Sequence, residues 1–488
     1  MMRRAGEGPD GAADPLLQRS FDVVVIGAGV VGTAIAAELS QTAATVCVIE
    51  ENDDVAEGAS KASAGITSDY YAPYGTIACD LLEESNGRWE DLCGRLGVPY
   101  RRIGALTVAL DEADLPALDE LEAQVRETAA RVERMDGDQA RELEPLLTRE
   151  CIAALHYPDE GIIDPMRLTW AYAELAARNG ARFLFNTPAI GIEVDAHGRP
   201  TAVLTPDGAV CGRYFVNAAG LGSGTVSAMM GGESITMWPR RGQYWIIDRD
   251  FGEKMSKIVL PVPGPNSRGT EVAPTTNGSL LLGPDAVEGG APDDTTSDVE
   301  GLRRVADLAT RLIPSAPLDR VIKSYAGNRP AADEPIRLRM DPSVPNLLQA
   351  GNRSIGVSCS PAMATRARAL LAEQGLDTRT RPNAVDHLPV QWRLREDPDP
   401  QAHADHTPEQ EMVVCLCEHV TAAEIGAALT GAVPARSVEG VRKRTRATGG
   451  RCQGSLCLAG VILMCANAQH QEIGEVRLGS AGGTVGCG

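Results

Sequence analysis

The sequence predicts an α/β protein with a Rossmann-like dinucleotide-binding domain, interleaved with an antiparallel sheet and followed by a small cysteine-bearing domain. Three observations predict this arrangement. A G-x-G-x-x-G motif lies between two apolar segments near the start of the chain. Residues 241–285 contain several short alternating segments joined by turn signals. Four cysteines fall in two close pairs after residue 414.

The first motif predicts a strand, a glycine turn, a helix and a second strand. Residues 23–26 are β-branched and apolar, residues 30–40 suit a helix, and residues 45–49 form the next apolar run. In this pattern the three glycines permit a tight turn, close approach of a pyrophosphate to the backbone, and close packing of the helix on the strand. The carboxylate of an acid after the second strand accepts hydrogen bonds from the ribose hydroxyls. These positions are Gly27, Gly29, Gly32 and Glu50.

The next segments are predicted to alternate between helices and strands. Asp164-Pro165 is a good helix start, and the strand that begins at Tyr214 runs into the small residues that end at Gly222. We expect helices over 76–97, 111–135 and 164–180, and strands over 102–110, 182–185, 191–194 and 202–205. The strand from Tyr214 should return to the first sheet, with its carboxyl end at the ligand-binding edge.

Residues 241–285 favour an antiparallel sheet laid over the first domain. Asn277-Gly278 is a strong hairpin signal between two of its segments. Strands are expected over 243–248, 257–262, 269–273, 279–282, 319–325 and 347–351, with a helix over 297–312, a loop over 352–360 and a helix over 361–375. Residues 376–411, rich in proline and aspartate, are predicted to be a linker.

Charge and hydropathy exclude several classes of protein. The net charge of −20 and the sequence pI of about 4.9 argue against a broad nucleic-acid or anionic-membrane surface. No apolar run approaches the ~20 residues of a membrane span. Residues 1–20 lack the apolar core of a secretory signal and are expected to be a disordered leader. A reducing, cytoplasmic location follows as the expectation.

Cys415, Cys417, Cys452 and Cys457 suit one metal centre. Structural zinc usually shows wider C-x2–4-C pairs, and a two-iron cluster fits the C-x-C pair at least as well. Cys465 and Cys487 have no partner spacing and are not expected to be ligands. The basic run over 441–446 either compensates the charge of a thiolate cluster or forms a solvated face or a patch for an acidic partner.

These motifs resemble two known families. Residues 21–375 are similar to the FAD-dependent oxidoreductases of the D-amino-acid-oxidase superfamily, most closely the anaerobic-type glycerol-3-phosphate dehydrogenases and the L-2-hydroxyglutarate dehydrogenases. Residues 412–465 resemble the helical [2Fe–2S] module of the bacterioferritin-associated ferredoxin type, and residues 466–488 form a tail. The resemblance is carried by the glycine motif and by the segments starting at Glu160, Val216, Pro239, Leu281, Gly327, Arg442 and Gly450.

The resemblance implies oxidation of a small anionic hydroxy compound by hydride transfer to FAD, with electrons leaving through a [2Fe–2S] cluster. The acceptor would be a protein or quinone system, with further subunits that would place the chain at the inner face of a membrane. Besides the four residues of the first motif, it assigns FAD contacts to Ser60, Ala64, Gly65, Gly220, Gly351, Ile355 and Gly356. It assigns the metal to the four paired cysteines. The catalytic candidates are Arg329, which would anchor the anion, with Arg241 and Tyr70.

One position departs from the family pattern. The hydroxy-acid and glycerol-phosphate branches usually carry a histidine where this chain has Ser68. Asp69, Tyr70 or Tyr71 would then take the place of that general base, or the substrate would be an amine. Two further alternatives are a structural zinc in the C-terminal module and a flavin-binding redox sensor without catalytic activity.

Overall fold

A computed structural model describes residues 20–70, 72–264, 268–389, 393, 407–480 and 483–486. Residues 1–19 of the expected leader, residues 390–392 and 394–406 of the expected linker, Tyr71 and Cys487 lie outside these ranges.

The strands are short and spread along the whole chain. In chain order they are β1 (Ser20–Ile26), β2 (Val46–Ile49), β3 (Ile66–Thr67), β4 (Tyr100–Arg102), β5 (Ala105–Ala109), β6 (Glu133–Asp136), β7 (Ala153–Tyr157), β8 (Gly161–Ile163), β9 (Arg182–Leu184), β10 (Gly191–Val194), β11 (Pro200–Thr205), β12 (Gly208–Asn217), β13 (Met237–Ile247), β14 (Ile258–Pro261), β15 (Glu271–Pro274), β16 (Leu280–Gly283), β17 (Val287–Glu288), β18 (Val321–Ala332), β19 (Ile336–Met340), β20 (Leu347–Asn352), β21 (Val413–Cys415) and β22 (Val420–Thr421).

The helices connect these strands and fill the C-terminal domain. They are α1 (Val30–Ser40), α2 (Ile77–Asn86), α3 (Trp89–Leu96), α4 (Leu115–Arg126), α5 (Gly137–Leu143), α6 (Pro165–Arg178), α7 (Ser223–Met229), α8 (Arg249–Gly252), α9 (Val299–Leu312), α10 (Gly356–Glu373), α11 (Pro408–Glu411), α12 (Ala422–Thr430), α13 (Val438–Thr445) and α14 (Leu458–Gln469).

The first sheet confirms the Rossmann-like prediction. Its strand order is β10-β11-β12-β1-β2-β9; β20 pairs with the C-terminal part of β12, beyond β11, and β19 pairs with β20. Strand β1 runs parallel to both β2 and β12, with Ile26 opposite Ile49 and Asn217. Helices α1, α6 and α10 pack together over this sheet. The carboxyl ends of the three parallel strands therefore meet at one edge, where such sheets bind their ligands.

The second sheet is larger than the sequence predicts. Its order is β17-β13-β16-β15-β14-β5-β7-β6, with β18 on the other side of β13. The hairpin at Asn277-Gly278 is confirmed, because β15 and β16 pair as antiparallel neighbours around it. Strands β5, β6 and β7 extend the sheet beyond the predicted segment, and β5 runs parallel to β14.

Several predicted boundaries are wrong, and glycine or proline explains some of them. The helix predicted over 76–97 is two helices, α2 and α3, interrupted at Gly87, and the strand over 102–110 breaks at Gly104, where φ is +76°. The helix over 111–135 ends at Arg126, since the following segment pairs with β7 as β6. Helix α10 begins five residues before Pro361, and the Ser360 hydroxyl donates to the Val357 carbonyl that faces the proline.

The C-terminal domain is small and mostly helical. Helices α12, α13 and α14 enclose a core that includes Ile425, Val441 and Val461. Helix α13 packs against α6 of the first domain. Among the described residues, no helix is both long and apolar enough to cross a membrane.

Candidate cofactor and substrate site

The turn between β1 and α1 accepts only glycine at two positions. Gly27 has a φ of +105°, and a Cβ there would lie 2.6 Å from the Ala218 carbonyl oxygen. A Cβ on Gly32 would lie 2.0 Å from the Gly27 carbonyl oxygen. Gly29 caps α1, and the amide of the next residue, Val30, donates to the Ser60 hydroxyl at 3.0 Å. This geometry places glycine backbone without side chains, and the backbone amides of the N-terminus of α1, at the edge of the sheet.

Glu50 lies at the carboxyl end of β2, beside this turn. One of its carboxylate oxygens accepts from the Ala28 amide at 2.8 Å, and the other accepts from the Asn52 amide at 3.0 Å. Burial raises the pKa of Glu50, while these hydrogen bonds oppose the rise. Gly220, with a φ of +57°, follows β12 at the same edge and has open space where a Cβ would stand.

A small-residue loop continues from Ser60 along the edge of the first sheet. We call residues 60–65 the flavin loop. Gly65 has a φ of +72°, and a Cβ there would lie 2.3 Å from the Ile163 carbonyl oxygen. The Ile163 amide donates to the Gly65 carbonyl at 2.7 Å, which fixes the end of the loop. Ala64 and Gly65 line a cavity of about 280 Å³.

The start of α10 forms the other end of the predicted cofactor site. Gly351 lies in β20, Ile355 caps α10 and Gly356 begins it. The Ser354 hydroxyl and the Arg353 Nε are buried, with no hydrogen-bond partner among the described residues. These unpaired polar atoms, together with the glycine cradle at β1, fit an elongated polar cofactor such as a dinucleotide.

The flavin loop and α10 are tied together through one side chain. The Ser358 hydroxyl accepts from the Ser68 amide at 3.0 Å and donates to the Ile66 carbonyl at 3.2 Å. Ser68 therefore lies between the end of the flavin loop and the first turn of α10.

Arg329 lies on the face of the second sheet that meets the flavin loop. It stands on β18 two residues from Gly327, where a Cβ would lie 2.1 Å from the Ala62 Cβ. Residues two apart on a strand share a face, so Arg329 faces the same way. Its Nη2 donates to the Asp285 carbonyl at 3.0 Å, and its Nε is buried without a partner in the described ranges.

The structure does not bring the other two catalytic candidates to this face. Arg241 lies between Arg240 and Gly242 on β13, so its side chain points to the opposite face of the sheet from that of Arg240. Its guanidinium donates to Asp298 at 2.9 Å and to Asp294 at 3.3 Å, away from the flavin loop. Tyr70 points into the core of the second domain, where its hydroxyl donates to the Gln124 side chain at 3.1 Å. The side chains of Arg241 and Tyr70 therefore point away from the site that the resemblance predicted for them.

Sequence reasoning missed a buried charged cluster beside Ser68. Arg268 donates to the Ser68 hydroxyl at 2.7 Å and to Glu160 at 3.0 Å. Neither carboxyl oxygen of Asp69, named earlier as one substitute base, has a hydrogen-bond partner in the part of the chain that is described. Burial raises the pKa of Asp69 to about 8, and the neighbouring Glu160 adds to the rise. Burial likewise raises the pKa of Glu271 to about 7, against the lowering effect of Arg268.

A weak signal for this cluster was present in the sequence. Glu160 opens a segment that carries the family resemblance, and Arg268 and Glu271 bracket the start of an apolar strand. Charged residues at a strand end are common at surfaces, so only the folded arrangement shows that Glu160 is buried, with Arg268 and Glu271 half-buried near it.

The four predicted metal ligands converge in the C-terminal domain. The Cys417 thiol lies beside that of Cys452 and the Cys415 thiol beside that of Cys457, and all four interact electrostatically. The backbone amide of Leu456, with those of the two residues before it, lowers the pKa of Cys452. No three His, Cys, Asp or Glu side chains of the described residues surround one point closely enough to hold a single ion. Two thiol pairs match the donor set of a two-iron cluster, which takes two cysteines at each iron.

The basic run over 441–446 has a role that neither sequence interpretation anticipated. Arg444 donates through both terminal nitrogens to Asp54, at 2.7 and 2.8 Å, and both side chains are buried. Lys443 lies 3.0 Å from Asp54 and also pairs with Glu57. These two cations therefore join the C-terminal domain to the loop that follows Glu50, and they are neither solvated nor free for a partner.

The cavity beside the flavin loop also touches the C-terminal domain. One side is formed by Lys61 to Gly65, and the other by Glu439, Arg442 and Arg446. Arg446 pairs with Glu418, which follows the ligand Cys417 directly. The flavin loop and the cysteine-bearing domain thus share a boundary.

A parallel sheet with this glycine turn and an acid at the end of β2 is typical of the class of dinucleotide-binding proteins. More specifically, the chain belongs to the family described as FAD dependent oxidoreductase, whose model matches residues 22–370. Residues 413–462 match the BFD-like [2Fe-2S] binding domain. The chain is thus an enzyme of the FAD-dependent oxidoreductase family that carries a [2Fe–2S] domain, and this match decides between the two metals that the spacing left open.

Named relatives share both the sequence and the fold. A glycerol 3-phosphate dehydrogenase of Caloramator mitchellensis is 30% identical over 94% of this chain and 96% of its own length. A glycerol 3-phosphate oxidase of Mycoplasma genitalium is 28% identical over 72% of this chain and 95% of its own. The FAD-bound L-alpha-glycerophosphate oxidase of Mycoplasma pneumoniae superposes with a TM-score of 0.72 at 23% identity, covering 77% of this chain and 100% of its own.

Proposed function

We propose that this protein oxidises a small anionic hydroxy compound of the glycerol-3-phosphate or 2-hydroxy-acid class, and that the electrons leave through the [2Fe–2S] domain to a protein or quinone acceptor. When bound, FAD supplies the two-electron oxidant and the cluster supplies a one-electron carrier. Gly27, Gly29, Gly32 and Glu50 would hold the nucleotide half of FAD, while Ser60, Ala64 and Gly65 would follow its flavin half.

The observation that carries the proposal is the position of Arg329. Its guanidinium keeps a buried, unpaired Nε on the sheet face that meets the flavin loop. A guanidinium fork binds a carboxylate or phosphate through two hydrogen bonds, so Arg329 can hold an anionic substrate beside the cofactor. The relative from Caloramator, a glycerol 3-phosphate dehydrogenase, aligns over both domains and supports this substrate class.

The shared boundary of the two domains supports the electron route. The flavin loop and α13 line one cavity, so the proposed flavin site and the cysteine-bearing domain lie next to each other in the described part of the chain. Lys443 and Arg444 fix the C-terminal domain through buried ion pairs, which favours a constant distance between the sites.

An amine or amino acid is the second candidate substrate. It is favoured by Ser68, which stands where related enzymes carry a histidine, and by the buried carboxyl groups of Asp69 and Glu271. A carboxyl group can bind an ammonium as well as accept a proton, so the same cluster suits both substrate classes.

The test is an anaerobic absorption spectrum of the purified holoprotein with iron and zinc analysis. Glycerol 3-phosphate, L-2-hydroxyglutarate and several secondary amino acids are added in turn. We expect about two irons per chain and loss of the flavin bands with one of the two hydroxy compounds. Bleaching only by an amino acid would establish the second candidate, and zinc without iron would contradict the electron route.

A further inference from the structure

Glu271 stands on the same face of the second sheet as Arg329. It begins β15 opposite Gly283, and a Cβ on that glycine would lie 2.8 Å from the Tyr244 ring. The Tyr244 ring stacks on Tyr325 with centroids 4.7 Å apart, two residues before Gly327 on β18. Glu271 acts electrostatically on both tyrosines and on Arg329. Its carboxyl group therefore belongs to the surface that meets the flavin loop.

The Glu271 carboxyl group is held between cations but is not fully paired. Its Oε2 is buried, with no hydrogen-bond partner among the residues that the structure describes. Arg268, three residues earlier, reaches away to the Ser68 hydroxyl and to Glu160. The charged and titratable groups that face Glu271 are Arg268, Glu160, Arg329, Tyr244 and Tyr325.

We propose that Glu271 is the proton acceptor of the oxidation. This inference rests on the proposed function. The substrate hydroxyl O–H bond breaks and its proton moves to a Glu271 oxygen. The C–H electron pair leaves as a hydride to the oxidant FAD, and the C=O bond of the product forms.

Asp69 is the other buried carboxyl group of the cluster, and its position suits the role less well. Its charge interacts with Glu160, Arg268 and Asp159, on the side of β8. Glu271 interacts in addition with Arg329, the proposed substrate anchor. A base must lie within hydrogen-bond reach of the proton that it removes, and the anchor determines where that proton is.

The acidity of Glu271 agrees with the geometry. Burial raises its pKa to about 7, so the carboxylate form becomes dominant as pH rises through neutrality. A general base works best when its pKa lies near the operating pH. The rate of flavin reduction should therefore rise with pH over this range and level off above it.

The first test follows flavin reduction anaerobically in the holoenzyme from about pH 5 to about pH 9. We expect Glu271→Gln to lower the rate constant by about 10²–10⁴-fold and to abolish its rise with pH, while flavin content and product binding stay unchanged. Glu271→Asp should restore part of the rate, because it keeps a carboxyl group. Glu300→Gln, on an exposed face of α9, is the matched control and should behave as the wild type.

The second test needs no turnover. Infrared spectra of the oxidised holoenzyme should contain a protonated-carboxyl band that titrates near pH 7, shifts when inorganic phosphate binds, and is missing in Glu271→Gln. The band of Asp69, which should titrate near pH 8, remains in both proteins. A difference spectrum between the wild type and Glu271→Gln that lacks the band titrating near pH 7, or a variant that retains the wild-type rate and pH profile, would overturn the inference. If no hydroxy compound bleaches the wild-type flavin, the proposed function fails, and the infrared titration still decides whether Glu271 exchanges a proton with the site.

Discussion

Arg444 and Asp54, which are 390 residues apart in the sequence, form a buried, bidentate ion pair between two domains. Both side chains are about 1% exposed, and Lys443 contributes a second cation to the same carboxylate. Burial alone would raise the pKa of Asp54, but the charges and hydrogen bonds of Arg444 and Lys443 together lower it well below its ordinary value. The [2Fe–2S] domain is thus attached to the loop that follows Glu50.

Removing one partner of this pair should destabilise the domain contact. Arg444→Ala leaves Asp54 buried beside Lys443 alone, and breaking a buried pair in this way typically costs about 3–5 kcal/mol. Denaturant unfolding followed by flavin fluorescence measures the loss. Arg379→Ala removes an exposed ion pair with Asp377 and should leave the free energy of unfolding close to that of the wild type.

The ion pair of Arg444 with Asp54 also determines how the stability of the folded protein depends on pH. Because the folded pKa of Asp54 is lowered, its contribution to stability is fully present above the unfolded value of about 4. It is lost only as pH falls toward the folded value. In Arg444→Ala this part of the acid dependence should shrink, and an unchanged acid limb would argue that Asp54 is not held by Arg444.

Local sequence patterns predicted the parts of the fold that depend on backbone geometry. The turn at Gly27 and the hairpin at Asn277-Gly278 follow from backbone conformations that few other residues adopt. Asp164 caps α6 because its carboxylate accepts hydrogen bonds from the first free amides of the helix. The position of Glu50 follows as well, because an acid just after β2 necessarily lies at the ligand edge of the sheet.

Long-range pairing could not be predicted in the same way. The direction of Arg241 depends on the register between β13 and β18, and a one-residue shift in register would exchange the two faces. The contact of Arg268 with Ser68 joins residues 200 positions apart, and no local preference encodes it. For this reason the sequence could offer Arg329 on β18 as a candidate and missed the acids that lie near it in the fold.

Glu50 should control FAD retention. Glu50→Ala removes the acceptor of the Ala28 and Asn52 amides as well as the predicted ribose contact, so we expect about 10–100-fold weaker FAD binding, as for loss of a buried hydrogen-bonded group. Fluorescence of released flavin after dilution measures this. Glu51→Ala, at the exposed neighbouring position, should retain FAD as the wild type does.

Arg329 should control substrate affinity without affecting the cofactor. Arg329→Ala is expected to raise KM or abolish turnover, since loss of a buried charged contact typically costs about 2–5 kcal/mol. The flavin spectrum should remain that of the wild type. Arg303→Ala, exposed on α9, serves as the control. A kcat/KM of Arg329→Ala equal to that of the wild type would remove this residue from the site, and a comparable loss in Arg241→Lys would return Arg241 to it.

The cluster and the flavin should be separable. Cys452→Ser removes one of the four paired thiols, so we expect loss of the cluster absorption and of about two irons per chain. The flavin should still bleach with substrate, because the flavin loop and Arg329 lie in the other domain. Cys465→Ala, a buried cysteine of the same core outside the two thiol pairs, should keep the cluster. Electron delivery to an external acceptor should fall in Cys452→Ser alone. If flavin reduction disappeared together with the cluster, the C-terminal domain would be part of the catalytic site, and the two domains would not act as an enzyme and a separate electron carrier.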